Sequence, residues 1–74
     1  MKNFLVIGLG EFGKSVAKTL YSNNATVLVI DAKENLIKQA LNEGIIEEAI
    51  ILDATDEIAL KKVVRDDFDT AFVS

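Results

Sequence analysis

The sequence has 74 residues, of which 50% are hydrophobic and 27% are charged, a balance typical of a folded globular domain. Cysteine and histidine are absent, which excludes disulfides, thiolate metal sites and histidine general-base chemistry. No apolar run approaches the roughly 18 residues of a membrane span, so we expect no direct membrane insertion. Twelve acidic against eight basic residues give a net charge of −4, which argues against nucleic acid as a partner, because affinity for the phosphate backbone depends on lysine and arginine.

Four short runs rich in apolar residues alternate with three segments of helical periodicity. The runs are residues 4–7, 27–30, 49–52 and 70–73. Because their apolar residues are continuous and do not alternate with polar ones, they predict strands buried on both faces of a parallel sheet. The intervening segments repeat apolar residues at spacings near 3.6, which predicts three helices. The order β-α-β-α-β-α-β indicates an α/β fold with a Rossmann-like, doubly wound parallel sheet.

The predicted helices carry recognisable end signals. Asn23-Asn24 and Gly44 follow the first two helices and suit their C-terminal caps. Thr55 is a candidate N-cap for the third helix, whose late basic residues, Arg65 among them, match the helix dipole. The apolar periodicity places Phe12 on the inner face of the first helix and Ile58 on that of the third.

Residues 8–13, GLGEFG, lie directly after the first predicted strand and open the first helix. In a G-x-G-x-x-G turn at this place, Gly8 permits the tight bend, Gly10 lets the backbone approach a pyrophosphate, and Gly13 lets the helix pack close to the strand. The helix N-terminus then offers backbone N–H groups to phosphates. The alternative is that the glycines serve only the packing of helix on strand, without a ligand.

Asp31 ends the second strand, 18 residues after Gly13, close to the roughly 20 expected for the acid that accepts hydrogen bonds from an adenosine ribose. The alternative is that Asp31 caps the second helix, with Glu34 completing a capping box; the two roles are compatible. The Asp31 carboxylate would repel the 2′-phosphate of NADP. The next residue is Ala32 and not an arginine that could bind this phosphate, so NADP is disfavoured.

Asp53 and Ala54 end the third strand at the same edge of the sheet, where ligands of open α/β sheets bind. They could meet an adenine edge, or they could form a plain turn into the third helix. Ser74 ends the fourth strand on the same side. It could line the ligand crevice at this edge, and its position is the only evidence for that. The sequence offers no nucleophile and base pair and no metal-ligand cluster, so we predict no catalytic and no metal residues.

Four segments carry a resemblance to a known family. They read FLVIGLGEFGKSVAKTL (4–20), VLVIDAKENLI (27–37), ILDATDEIAL (51–60) and FDTAFVS (68–74). Across them the chain resembles the nucleotide-binding domain of regulators of potassium conductance (RCK, or TrkA-N), found in subunits of the TrkA and KtrA type. Residues 1–74 would be the N-terminal part of such a domain.

The resemblance implies a non-enzymatic regulatory subunit that binds NAD(H) or an adenine nucleotide, assembles as homo-oligomeric dimers or rings, and gates a membrane potassium channel or transporter. With Met1 directly before the first strand, it looks like a cytoplasmic subunit peripheral to the inner face of the cell membrane. The implied contacts are Gly8, Gly10, Glu11, Phe12 and Gly13 for phosphates, Asp31, Ala32 and Lys33 for the ribose, and Asp53 and Ala54 for adenine. Many members have arginine in place of Glu11, whose carboxylate would repel a triphosphate; this favours NAD(H), ADP or AMP, with ATP as an alternative.

Two other functions fit the same pattern. The chain could be the N-terminal cofactor-binding half of an NAD-dependent dehydrogenase, with catalytic groups supplied beyond residue 74, or a Rossmann-like piece without a ligand, because fold alone does not decide function. A Rossmann sheet normally has about six strands. We therefore expect the fourth strand either to be continued by further residues of a longer domain or to be covered by another chain.

Overall fold

The computed structural model describes residues 2–64 and 68–73, so that Met1, Arg65 and Ser74 lie outside the described residues. The strands are β1 (Asn3–Ile7), β2 (Thr26–Asp31), β3 (Glu48–Ile51) and β4 (Thr70–Val73), and the helices are α1 (Glu11–Ser22), α2 (Glu34–Asn42) and α3 (Glu57–Val63). The strands pair in parallel in the spatial order β3-β2-β1-β4. This arrangement confirms the predicted Rossmann-like α/β fold.

Strands β1 and β2 form the centre of the sheet and are covered on both faces. Val6 and Val29 point to one face, where they pack with residues of α1 and α2. Leu5, Leu28 and Ile30 point to the other face, where Leu60 and Val63 of α3 pack against them. The sheet is therefore doubly wound, and burial on both faces explains why the central strands are continuously apolar. For β3 and β4 the prediction of burial on both faces is wrong: neither strand contains a buried residue, because both lie at the edges of the sheet.

Helices α1 and α2 end in the same way. Asn24 and Gly44 adopt left-handed backbone conformations, with φ of 65° and 72°. After each of them the chain turns back on the helix: the N–H of Ala25 donates to the carbonyl of Leu20 (3.1 Å), and the N–H of Ile45 donates to that of Ala40 (3.2 Å). These are Schellman-type ends, and they confirm the predicted C-terminal caps.

The predicted N-cap of α3 is wrong by one residue. Asp56, not Thr55, is the N-cap, and its Oδ1 accepts a hydrogen bond from the N–H of Ala59 (3.1 Å). The Thr55 hydroxyl donates instead to the Asp53 carboxylate. Both residue types are good N-caps, so the path of the turn decides which of them is used.

Among the apolar residues expected on inner helix faces, Ile58 and Phe12 are the most exposed. Ile58 is 73% exposed and Phe12 is 61% exposed. In α3 the residues that pack on the sheet are Leu60 and Val63, whereas α1 buries Gly13 and Ala17. A helix of seven residues makes only two turns, so a few contacts fix which of its apolar side chains face the sheet.

The start of β4 is tied to the start of β1 through one side chain. The N–H of Asn3 donates to Oδ2 of Asp69 (2.8 Å), and the N–H of Asp69 donates to the carbonyl of Asn3 (2.7 Å). This pair extends the β1–β4 ladder by one position beyond Phe4 and Thr70. Across residues 2–64 and 68–73, no helix is long and apolar enough to cross a membrane.

Candidate functional site

The carboxyl ends of the strands bring the predicted site residues to one edge of the sheet. Ile7 pairs with Val73, and Asp31 pairs with Ile51. Two hydrogen bonds join the residues that follow β1 and β3 to the end of β2: the N–H of Gly8 donates to the carbonyl of Ile30 (2.8 Å), and the N–H of Leu52 donates to the carbonyl of Asp31 (3.0 Å). The glycine turn, the end of β2 and the loop after β3 therefore lie side by side.

The first two glycines of the turn differ in what the fold requires of them. Gly8 has a φ of 100°, a conformation that residues with a Cβ rarely adopt, so the bend after β1 requires glycine. Gly10 has a φ of −69° and a ψ of −174°, which any residue can adopt. A Cβ added at Gly10 would meet no atom within 4 Å. The packing of the chain itself therefore does not require glycine at position 10.

Helix α1 begins without a capping side chain. Gly10 is its N-cap and makes no side-chain cap hydrogen bond, and the only acidic residue in the first turn is Glu11. Helix α3, in contrast, is capped by Asp56. The first N–H groups of a helix have no partner within the helix, and the dipole gives this end a partial positive charge. An anion outside the turn would accept hydrogen bonds from these N–H groups and would be attracted by the partial positive charge.

Asp31 connects the glycine turn to the start of α2. Its Oδ2 accepts a hydrogen bond from the N–H of Leu9 (2.7 Å), and its Oδ1 accepts one from the N–H of Lys33 (2.8 Å). Lys33 is the N-cap of α2 and makes no side-chain cap hydrogen bond. The alternative that Asp31 and Glu34 form a capping box is therefore wrong, because Asp31 precedes the N-cap by two residues.

Asp53 stands exposed at the same edge and is held by its own turn. Its Oδ1 accepts hydrogen bonds from the hydroxyl (2.7 Å) and from the N–H (2.9 Å) of Thr55. These two donors lower the pKa of Asp53 from its ordinary value, because they stabilise the charged carboxylate. Among the neighbouring predicted residues, Ala32 and Lys33 are exposed and Ala54 is half-buried.

A small cavity of about 160 Å³ flanks the glycine turn. Its lining residues come from the turn, α1 and α2: Leu9, Glu11, Lys14, Leu36, Gln39 and Ala40. Beside it, the Lys14 ammonium donates a hydrogen bond to Oε1 of Glu43 (3.4 Å) and forms an ion pair with Oε2 (3.1 Å). The hydrogen bond and, to a smaller extent, the charge of Lys14 lower the pKa of Glu43. The described residues contain no group of three or more acidic side chains that could hold a metal ion.

A larger cavity, of about 780 Å³, lies at the opposite edge, among the ends of α1 and α2 and the starts of β2 and β3. Within it the Tyr21 hydroxyl donates to Oε1 of Glu47 (2.8 Å), which raises the pKa of Tyr21. We place the candidate site at the glycine turn despite the smaller cavity there, because the uncapped helix and the carboxyl ends of the strands converge at that edge.

The strand order, the glycine turn after β1 and the aspartate at the end of β2 are features of a Rossmann-like α/β fold. The sequence matches the family model of the TrkA-N domain over residues 4–74, and the chain belongs to this family.

Several curated relatives are potassium uptake proteins by name. The chain is 36% identical over 73 residues to Ktr system potassium uptake protein A of Vibrio alginolyticus. It is 37% identical over 73 residues to Ktr system potassium uptake protein C of Bacillus subtilis (strain 168). Each comparison covers 99% of this chain and 32% of the relative, so the chain spans about a third of the length of these proteins.

Proposed function

We propose that residues 1–74 are the N-terminal part of a nucleotide-sensing domain that regulates potassium transport. The domain binds NAD(H), ADP or AMP at the glycine turn and gates a membrane potassium channel or transporter. It acts without catalysis, in the cytoplasm at the inner face of the cell membrane, and as a homo-oligomeric dimer or ring. Membership of the TrkA-N family and the names of the Ktr relatives support this proposal.

The observation that carries the nucleotide site is Gly10. Its backbone conformation is ordinary, and the space around a Cβ is empty in the protein alone. A glycine that the fold does not require is explained by a ligand that approaches the backbone closely, as a pyrophosphate does in this kind of turn. The uncapped N-terminus of α1 beside it provides donors for the phosphate oxygens.

The remaining proposed contacts follow from the sheet edge. Phosphates lie against the turn from Gly8 to Gly13, the ribose lies beside Asp31, Ala32 and Lys33, and the adenine lies near Asp53 and Ala54. The carboxylate of Asp31 disfavours the 2′-phosphate of NADP. That of Glu11, exposed in the first turn of α1, disfavours a triphosphate by like-charge repulsion. ATP is therefore the weaker alternative.

Regulation by such a site requires two conformations of the assembly. A bound nucleotide shifts the balance between them only through a difference in its affinity for the two. Strands β1 and β2 are buried on both faces, so the loops after the strands are the places where a change at the ligand begins. The membrane protein then responds to the change in the shape of the dimer or ring.

The test of the site is the variant Gly10→Ala. The added methyl group meets no protein atom within 4 Å. Alanine is a poorer N-cap than glycine but lowers the entropy of the unfolded chain. Because these two effects oppose each other, we expect the free energy of unfolding to stay within about 0.5 kcal/mol of the wild-type value. The same methyl group stands where the phosphate approaches the backbone. Calorimetric titration with ADP and with NADH should therefore show binding to the wild type and at least tenfold weaker binding to the variant, a cost of about 1.4 kcal/mol or more.

The matched control is Gly44→Ala, the same substitution at the end of α2, which is not part of the proposed site. This variant should bind ADP and NADH as the wild type does. The proposal fails if the wild type binds none of the nucleotides, or if Gly10→Ala and Gly44→Ala bind them equally well.

A further inference from the structure

We infer that Asp31 is a positioning residue for the phosphate-binding turn, in addition to any contact that it makes with the ribose. The inference rests on the nucleotide-binding function proposed above. It assigns to the carboxylate a task within the ligand-free protein: to hold the backbone of the glycine turn in the shape that receives phosphate.

Asp31 occupies a position from which one side chain reaches two loops. Leu9, which lies 22 residues earlier in the sequence, donates its N–H to Oδ2 at 2.7 Å. Lys33 donates its N–H to Oδ1 at 2.8 Å. Hydrogen bonds from backbone N–H groups to a charged carboxylate are short and stronger than neutral ones. The Leu9 side chain is buried, so the turn is anchored by its side chain as well as by its backbone.

The N–H groups of the glycine turn fall into two sets, those bound to β2 and those at the start of α1. Those of Gly8 and Leu9 both point back to β2, where the carbonyl of Ile30 and the carboxylate of Asp31 accept them. Helix α1 begins immediately afterwards, with Gly10 as an N-cap that makes no side-chain cap hydrogen bond. By fixing the first two N–H groups, the end of β2 sets the direction in which the following ones face the ligand.

Positioning and ribose binding can be separated chemically. Each carboxylate oxygen has two lone-pair sites, so an oxygen that accepts one backbone N–H can also accept a ribose hydroxyl. A ligand without ribose hydroxyls would lose only the second contact. It would still require the turn that Asp31 holds.

The experiment compares ADP with 2′,3′-dideoxy-ADP on the wild type and on Asp31→Asn. Leu9 and Lys33 donate to different oxygens of Asp31. The amide of asparagine replaces one of these oxygens with a donor nitrogen, so one of the two N–H groups loses its acceptor. If Asp31 positions the turn, the variant binds both nucleotides about tenfold or more weakly. The matched control is Asp56→Asn, which removes one carboxylate at the N-cap of α3 and keeps a capping side chain; it should bind both nucleotides like the wild type.

The outcomes separate the inference from the proposed function. If Asp31→Asn weakens ADP binding and leaves the affinity for dideoxy-ADP unchanged, Asp31 acts only through the ribose and the inference is overturned. If the wild type binds neither nucleotide, the proposed function itself fails.

Amide hydrogen exchange in the ligand-free wild type tests the same contact without a variant that has to fold. The Leu9 N–H should exchange at least tenfold more slowly than the Gly10 N–H. Exchange of Leu9 as fast as that of Gly10 would show that Asp31 does not hold the turn.

Discussion

Thr55 lowers the pKa of Asp53 through two donors on one residue. The hydroxyl and the N–H of Thr55 both reach Oδ1 of Asp53 and lower the pKa of its carboxyl group below the ordinary value of 3.8. A carboxyl group whose pKa is lower in the folded state stabilises the fold above its unfolded pKa. That contribution is lost as the pH falls through the lower, folded pKa. The turn after β3 should therefore loosen only in strongly acidic solution, below about pH 4.

We expect Thr55→Val to raise the pKa of Asp53 towards its ordinary value, because the hydroxyl is the larger of the two causes of the shift. The measurement is a titration of the side-chain carboxyl carbons by NMR. Glu43 serves as the internal control: its pKa is lowered by Lys14, in a part of the molecule that the substitution does not touch. An unchanged pKa for Asp53 in the variant would contradict this account of the turn.

The two exposed glycine positions allow a comparison of helix ends. Neither Gly10 nor Gly44 has an atom within 4 Å of an added Cβ, but only Gly44 has a positive φ, at 72°. Gly44→Ala should therefore lower the free energy of unfolding by about 1 kcal/mol through backbone strain alone. For a domain of this size that corresponds to about 4–8 °C in the unfolding midpoint.

Gly10→Ala, measured in the same thermal unfolding experiment, is the control for this prediction. It should move the midpoint much less than Gly44→Ala. Equal shifts for the two variants would mean that the left-handed conformation at Gly44 does not determine the cost.

At the level of helices and strands, periodicity predicted which segments form elements but not which side chains each helix buries. The continuous apolar runs were sufficient because β1 and β2 are covered on both faces. Phe12 and Ile58 were placed wrongly because a spacing near 3.6 groups residues on one helix face without fixing how that face meets the sheet. The choice of Asp56 over Thr55 as N-cap depends on where the turn enters the helix.

In the candidate site, too, the sequence predicted where residues lie but not which contacts they make. Sequence spacing predicted that Asp31 and the glycine turn share one edge of the sheet, because parallel strands bring their carboxyl ends together. It did not predict that Leu9 and Lys33 donate to the Asp31 carboxylate, since these contacts depend on the side-chain rotamer and on the path of the turn. The link from Asp69 to Asn3 was missed for a related reason: it spans 66 residues and leaves no local pattern.

For the molecule as a whole, the charges at the sheet edge should decide which nucleotide stabilises it. A ligand at about 100 times its dissociation constant adds about 2.7 kcal/mol to the free energy of unfolding, which for so small a domain raises the midpoint by more than about 10 °C. We expect such shifts with NADH, ADP and AMP. ATP should give a smaller one because of Glu11. NADPH should give none, because its 2′-phosphate would lie against the carboxylate of Asp31.

Thermal unfolding with each nucleotide in turn, at equal concentration and ionic strength, tests this order. NADH and NADPH form the matched pair, since they differ only in the 2′-phosphate. Equal shifts with the two would contradict the proposed contact of Asp31 with the ribose. A cooperative transition that no nucleotide moves would contradict the proposed sensing function. If salt restores binding of NADPH or ATP, the discrimination is electrostatic, because screening weakens repulsion between charges that are exposed to solvent.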